Sequence, residues 1–414
     1  MSDFKIPLDI ESLEVTAQTL DKQDNIILDV VSKKKSSKCH KCGKDATIRN
    51  GTSPIIMIEH RGVLEKKLYL RIKPVRYKCE HCDDHITTTE QYDWHNRKSK
   101  YTKAMEEYIL RSLINSTVED VAKKEKLSSK SIYHVIENLV PVNPDWSDYK
   151  DLKTIGIDKI AVKKGHKDYV TIVSAITKSG RKSVVGVIQG KGKEDVKDFL
   201  SSIPSNLRKT VVSVCTDMYD GYVNAASEVF GKSKVVIDRF HVAKQYRSAI
   251  DKIRISEMSR LKKELPKEEY SKLHNVMWAL RKEYECLSED EKKAMEVLYS
   301  HSPLLKKAHS LAIKLTVIFN TTSTTRKDAV AKIDRWISNV EKSDIKEFDT
   351  FLVTLNKYKS SIANYFKNRA TSGFVEGLNN KIKVLKRRCY GLVKTSTYFQ
   401  RLYLDLKGHE LYGI

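Results

Sequence analysis

No stretch of this 414-residue chain approaches the ~18 consecutive apolar residues that a membrane helix needs. Its opening, MSDFKIPLDIESLE, has no apolar segment behind a basic start, so it does not read as a secretory leader. These two absences lead us to expect a cytosolic chain with no membrane partner. There is no internal repeat, and no low-complexity tract beyond the short basic run KKKSSK at 33–38. Acid is the scarcer charge: 53 Asp and Glu stand against 76 Lys and Arg, a formal net charge of +23. Such an excess favours a polyanionic partner, because each phosphate contact releases condensed counterions. What is present is enough apolar material (40% of residues) for packed cores. The length suits two to four domains of roughly 100–200 residues.

Seven cysteines are present, and four of them form two C-x-x-C pairs, Cys39/Cys42 and Cys79/Cys82. In a cytosolic chain this pattern points to metal rather than to disulfides. Two such turns brought together by a hairpin can hold Zn²⁺ tetrahedrally. Four thiolates leave no open position for water, which makes the site structural. His40, His81 and His85 lie close by; they read as surface histidines, with replacement of one cysteine as ligand as the alternative.

Residues 8–31 alternate loosely, as strands do. Leu68, Leu70 and Ile72, between the cysteine pairs, alternate as in a hairpin or meander. We assign 1–95 to a β-rich region with the finger. Residues 101–141 switch to helical periodicity, and Pro141 and Pro144 mark a linker. From 153 short apolar runs return: TIGID, YVTIVSAI, SVVGVIQG, VVSVCTD and KVVID, with helical stretches at 193–203 and 221–230. The order β-β-β-α-β-α-β is that of a ribonuclease H-like core, here 153–241. Residues 242–366 are rich in Lys, Glu and Leu with almost no glycine, and read as an all-helical insertion. A basic helix, SGFVEGLNNKIKVLKRR, then begins the last part of the core, 367–414.

Within 118–139, Val118, Val121 and Ala122 form the inner face of one helix and Ile132, Val135, Ile136 and Leu139 that of the next. Leu127 fills the turn, and Ser128 or Ser129 can cap the second helix. This is the pattern of a DNA-binding helix-turn-helix. Its second helix would present Ser129, Lys130, Ser131, Tyr133 and His134 to DNA. The turn position often filled by glycine is Lys126.

Three acidic residues stand out. Asp158 lies in or at the end of the first core strand, and Asp217 follows the run VVSVCT. An unpaired carboxylate at such places is costly. Glu376 opens a basic helix with Asn380, Lys383 and Arg387 near its face. Two strand-borne aspartates facing that helix suit a pair of Mg²⁺ (or Mn²⁺) ions acting on DNA, with Lys383 and Arg387 gripping phosphates. Asp238, three residues before His241, ends the next strand and competes with Asp217. Strand order favours Asp217, beside the first strand, and makes Asp238 and His241 a supporting pair or a helix cap.

These segments resemble the DDE transposases of bacterial insertion sequences, specifically the family called ISL-three. CHKC and CEHC match its finger and 118–139 its helix-turn-helix. GIDKIAVKKGH, TDMYDGY, VIDRFHV and EGLNNKIKVLKR match its catalytic segments in order. The resemblance spans nearly the whole chain. It implies cut-and-paste or related transposition, a ribonuclease H-like core with a helical insertion before the glutamate, and Asp158, Asp217 and Glu376 as the triad. The expected partners are terminal inverted repeats and target DNA, met by a homodimer pairing two ends in the nucleoid-bearing cytoplasm. The alternatives are a sequence-specific regulator that keeps an inactive ribonuclease H-like domain, and a plain nuclease or resolvase. Trp278 and Trp336 in the insertion read as core residues, with stacking on a flipped base as the alternative.

Overall fold

The computed structural model describes residues 6–161, 169–282, 284–370, 373–388 and 394–412, without the side chains of 374–376, 379 and 386. The Lys-Gly-His element at 164–166 lies outside these residues. The chain divides into two compact units, Met1–Pro141 with Tyr403–Ile414, and Val142–Leu402. Among the described residues no helix is long and apolar enough to cross a membrane.

The first unit starts with a four-stranded sheet of β1 (Leu13–Leu20), β2 (Ile26–Ser32), β3 (Ile56–Val63) and β4 (Lys66–Ile72), in the order β1-β2-β4-β3. The alternation of β4 has the expected result. Leu68, Leu70 and Ile72 are buried with Leu28, Val30, Ile58 and Trp94, while the residues between them are half-buried. A smaller sheet of Ile48–Thr52, Val75–Lys78 and Thr87–Thr89 sits against the cysteine pairs. All four Sγ atoms lie within 4.8 Å of one another, a set that can hold Zn²⁺. Gly43, at φ +72°, turns the chain after Cys42. Backbone N–H groups of Cys42 and Lys41 hold the Cys39 thiol down to about 6, whereas burial and the neighbouring thiols push Cys82 up to about 12. The nearby histidines are not in this cluster: His40 Nδ1 is 2.9 Å from Thr88 Oγ1 and His85 Nδ1 is 3.3 Å from the Cys79 carbonyl.

Three helices follow: α1 (Lys103–Leu113), α2 (Val118–Lys124) and α3 (Ser129–Leu139). Each begins with a hydroxyl cap. Thr102, Thr117 and Ser128 accept from the backbone N–H groups of Met105, Asp120 and Ser131. Val118, Val121, Ala122, Ile132, Val135 and Ile136 are buried as their spacing requires. Lys126 forms the tight turn by adopting the left-handed region at φ +51°. The Leu127 N–H then donates to the Ala122 carbonyl at 2.9 Å, closing α2 as a glycine would. The C-terminal residues of this unit pack on α1: Asp405 accepts from the Asn115 N–H at 3.1 Å. A Cβ at Gly408 would fall 2.8 Å from Ile114 Cδ1, so a larger residue there would make the Ile114 side chain shift.

The second unit is built on a five-stranded sheet. Strands β5 (Thr154–Ala161), β6 (Tyr169–Ile176) and β7 (Lys182–Gln189) form an antiparallel meander. After α4 (Lys193–Ser202), strand β8 (Ser213–Thr216) runs parallel to β5. After α5 (Asp220–Phe230), strand β9 (Val235–Ile237) runs parallel to β8. The order is β7-β6-β5-β8-β9. Six consecutive residues of β6 are buried, as expected for a sheet covered on both faces. This is a mixed α/β fold.

From α6 (Arg239–Glu264) through α7 (Pro303–Asn320), α8 (Arg326–Glu341) and α9 (Asp349–Ala363), the described residues of 242–366 contain no strand. These helices share one core with the sheet. Trp336 anchors it: the indole is 2% exposed and donates to the Leu311 carbonyl at 2.8 Å. Trp278 departs from the sequence expectation of a core residue. It is 54% exposed, with the Arg281 guanidinium 5.5 Å from its ring. The short helix bearing it, Val276–Ala279, buries Val276 and Ala279 instead. Helix α10 (Gly373–Arg388) packs on β5, and α11 (Thr395–Tyr412) ends the chain.

A non-glycine residue in the left-handed region costs roughly 1–2 kcal/mol. Lys126→Gly should therefore raise stability by about 0.5–1 kcal/mol once the looser unfolded chain is counted. Lys126→Val should lower it. Thermal denaturation followed by circular dichroism reads both, and a destabilised Gly variant would contradict the turn geometry.

Candidate active site

Parallel pairing fixes the site. Ile157 of β5 pairs with Thr216 of β8, and Thr216 with Ile237 of β9. The next residue of each chain segment is an aspartate, so Asp158, inside β5, stands on one row with Asp217 and Asp238, which directly follow β8 and β9. Ligand sites of open α/β sheets lie at the carboxyl ends of such strands. The apolar runs VVSVCT and VVI make this possible. They bury the strands up to the point where the carboxylates begin.

The three carboxylates have different surroundings. Asp158 Oδ1 accepts from the Lys159 N–H at 2.7 Å. Asp217 is 8% exposed, and its Oδ2 accepts from Lys159 Nζ at 2.9 Å. Its Oδ1 is buried with no hydrogen-bond partner among the described residues. Asp238 is 4% exposed and caps α6, its Oδ1 accepting from the Phe240 N–H at 3.2 Å. The cap reading of Asp238 is thus realised, with the helix starting at Arg239 rather than nearer His241.

The negative field of this row is felt below it. Tyr222 is fully buried, and its hydroxyl lies 2.7 Å from Thr171 Oγ1. Burial pushes its phenol well above the ordinary range, and Asp217 and Asp158 push the same way. The Cys215 thiol is pushed up to about 12 by burial, with Asp238 adding to it. A buried carboxylate oxygen without a donor, in such a field, is chemically suited to a cation. The residues therefore fit a divalent metal.

An open cleft of about 720 Å³ covers the row, lined by all three aspartates together with Lys159, His241 and Lys383. His241 comes from the first turn of α6, its ring set edge-on to Phe240 at 5.7 Å. Lys383 comes from α10, which buries Leu378, Ile382 and Leu385 and exposes Lys383 and Arg387. Arg387 is not among the cleft residues. Glu376 lies on the same helix, seven residues before Lys383; its side chain lies outside the described residues.

Sequence reasoning missed Lys159. Its neighbour Asp158 drew attention, but only the parallel register brings its amine to Asp217. Tyr219 was missed for the same reason: Lys159 Nζ and Lys191 Nζ stand 5.2 and 5.4 Å from its ring centre. A lysine two residues beyond a strand carries no signal of this in sequence.

In the other unit, α3 exposes Lys130 and His134, one turn apart, and leaves Tyr133 half-buried. Ser129 and Ser131 are already engaged. The Ser129 hydroxyl donates to Glu119 at 3.0 Å, and the Ser131 hydroxyl lies 2.8 Å from the capping Ser128.

Comparison with known proteins agrees with both units. Residues 155–402 match a family model described as a transposase, and residues 90–140 match the helix-turn-helix domain of transposase family ISL3. The chain is 25% identical over 382 residues to the transposase for insertion sequence element IS1001 of Bordetella parapertussis, covering 90% of this chain and 89% of that one. It is 21% identical over 399 residues to the transposase for insertion sequence element IS1557 of Mycobacterium tuberculosis, covering 90% and 86%. Among solved structures it is similar to the Drosophila P element transposase strand transfer complex, with a TM-score of 0.41 and 12% identity over 78% of this chain and 94% of that chain. The chain belongs to the transposase family ISL3 and is a DNA transposase with a DNA-binding helix-turn-helix.

Proposed function

We propose that this transposase binds the terminal inverted repeats of its insertion sequence and cuts and joins DNA at a two-metal site made by Asp158, Asp217 and Glu376. The observation that carries the reading is the row of aspartates, with the Asp217 Oδ1 buried and lacking a hydrogen-bond donor among the described residues. The strand order β7-β6-β5-β8-β9 supports a ribonuclease H-like core at 153–241 and 367–414, interrupted by the helical insertion 242–366. Residues 1–95, with zinc on Cys39, Cys42, Cys79 and Cys82, and residues 101–141, with Lys130 and His134 most exposed, would read the ends. Pairing two ends calls for a homodimer, working on the cytoplasmic nucleoid.

Bound Mg²⁺ or Mn²⁺ would supply activation of the attacking hydroxyl and stabilisation of the leaving oxygen. The protein groups supply position and charge. Asp158 and Asp217 hold fixed negative charge on the rigid sheet. The Lys159 amine, 2.9 Å from Asp217, limits their mutual repulsion and can follow phosphate as DNA enters. Lys383 on the cleft wall, with Arg387 one turn further along α10, would grip the backbone beside the scissile bond. Asp238 fixes the start of α6, and so holds His241 at the cleft edge as a positioning residue.

Asp158→Asn and Glu376→Gln should each lower cleavage of labelled end DNA more than about 100-fold in Mg²⁺ or Mn²⁺, with DNA affinity unchanged. Asn caps helices as well as Asp, so Asp238→Asn should keep its fold and most activity while Asp217→Asn loses it. The reverse result would make Asp238 the ligand. For the finger, about one Zn²⁺ per chain is expected. Removing it with a chelator, or substituting Cys79→Ser, should open residues 37–89 to limited proteolysis while the fragment bearing 155–402 stays resistant. A zinc-free chain with unchanged proteolysis would contradict the structural role.

A further inference from the structure

The β3–β4 hairpin ends in a feature that the fold does not require. Its two-residue turn is Leu64-Glu65, and both residues lie in the left-handed region, at φ +50° and +62°. Turns of this kind favour Asn-Gly, because side chains such as leucine resist positive φ. Leu64 is also 86% exposed, the highest value of any large hydrophobic residue among those described. A leucine that is both backbone-strained and fully in water marks a place where something else covers it.

The tip is aimed, not loose. The pairing register slips between His60 and Val63, and a Cβ at Gly62 would meet the Lys66 carbonyl oxygen at 2.6 Å. Such a bulge twists and redirects a hairpin. Its base is tied to the helix-turn-helix. The Glu59 N–H donates to the Lys100 carbonyl at 2.9 Å and the Thr102 N–H donates to the Glu59 carbonyl at 3.0 Å. His60 Nδ1 is 2.7 Å from Thr102 Oγ1. The Arg61 guanidinium lies over the Tyr108 ring at 5.0 Å, and the Tyr108 hydroxyl donates to Glu125 at 3.0 Å, at the α2–α3 turn.

Between the hairpin and that turn runs a groove of about 510 Å³. Its five cations are Arg61, Lys66, Lys67, Lys124 and Lys126, set against Glu59, Glu65 and Glu125. Glu59 is paired with Lys67 at 2.9 Å. Lys66 is paired with Asp24 at 2.6 Å, but Asp24 is well exposed and Lys66 only half-buried, and a pair so open to water is weak enough to exchange for a phosphate. The surplus is positive on a chain of net charge +23, which disfavours a second copy of this chain as occupant and favours a nucleic acid.

We propose that this hairpin is a second DNA-contacting element, a wing that sets Arg61 and Lys66 on phosphates and inserts Leu64 as an apolar wedge into the minor groove beside the helix-turn-helix. Leucine serves as such a wedge in minor-groove binding, where it opens a base step. The proposal rests on the reading of α3 as a DNA reader.

The test uses the full chain and a short fluorescein-labelled duplex that the chain itself selects from a random pool, with Lys130→Ala as the α3 control. Asparagine accepts the left-handed region, so Leu64→Asn should not lower thermal stability. It should weaken binding about tenfold, the scale of exposing a leucine side chain, and Leu64→Met should restore it. Arg61→Ala with Lys66→Ala should reduce the slope of log affinity on log salt by about 2. A 2-aminopurine placed at successive steps should brighten at one step with wild type and not with Leu64→Asn. Full affinity of Leu64→Asn alongside weakened Lys130→Ala would overturn the wing and leave the α3 reading intact. Full affinity of both would overturn the two together. Unchanged DNA affinity with altered sedimentation of free Leu64→Asn would overturn the wing in favour of self-association.

Discussion

Three like charges on one row across the parallel strands of a mixed sheet are the constraint on which this structure turns. Neighbouring strands stand ~4.8 Å apart. Two carboxylates at that spacing repel by about 3 kcal/mol at an effective dielectric of ~20. Each aspartate is accommodated in its own way. Asp238 is held by the first turn of α6, where a helix N-terminus favours negative charge. Asp217 is held on one oxygen by Lys159. Asp158 accepts the Lys159 N–H on one oxygen. One oxygen of Asp217 is buried without a hydrogen-bond partner among the described residues, beside a cleft that Lys383 also lines. The chemistry we propose grows from that oxygen.

The large helical region stands behind that row. Its first helix starts at Asp238 itself, and α9 packs against β9. Trp336, edge-on to Phe348 and Phe351, welds the helices into the same core as the sheet. A helical region that shares one core with the sheet stiffens the strand ends instead of hanging from them. Positioning within fractions of an ångström is what phosphate chemistry asks of its scaffold.

Much of this was legible in the sequence because the signals were local. The apolar runs gave the five strands, the spacing Val118–Leu139 gave two helices, and CHKC with CEHC gave the cluster. Asp158 and Asp217 stood out through their apolar strand runs, and Glu376 through its basic helix. What could not be read was pairing across distance. Asp217 and Asp238 look alike in sequence, since both end strands; their surroundings differ in the Phe240 N-cap hydrogen bond to Asp238 and the Lys159 ion pair with Asp217. Lys159 needed the register of β5 on β8. Lys126 and Leu64 take left-handed conformations that no residue code announces. Trp278 read as core because helical tryptophans are usually buried, yet its helix is a single turn and cannot bury every side.

Metal held by Asp158 in β5, by Asp217 at the end of β8 and by α10, as we propose, is open to a direct test. Fe²⁺ placed in the site with ascorbate and peroxide cuts the polypeptide beside its ligands. The account predicts cuts next to Asp158, next to Asp217 and within Gly373–Arg388 near Glu376, all suppressed by excess Mg²⁺. Cuts beside Asp158 and Asp238 with none in α10 would contradict it.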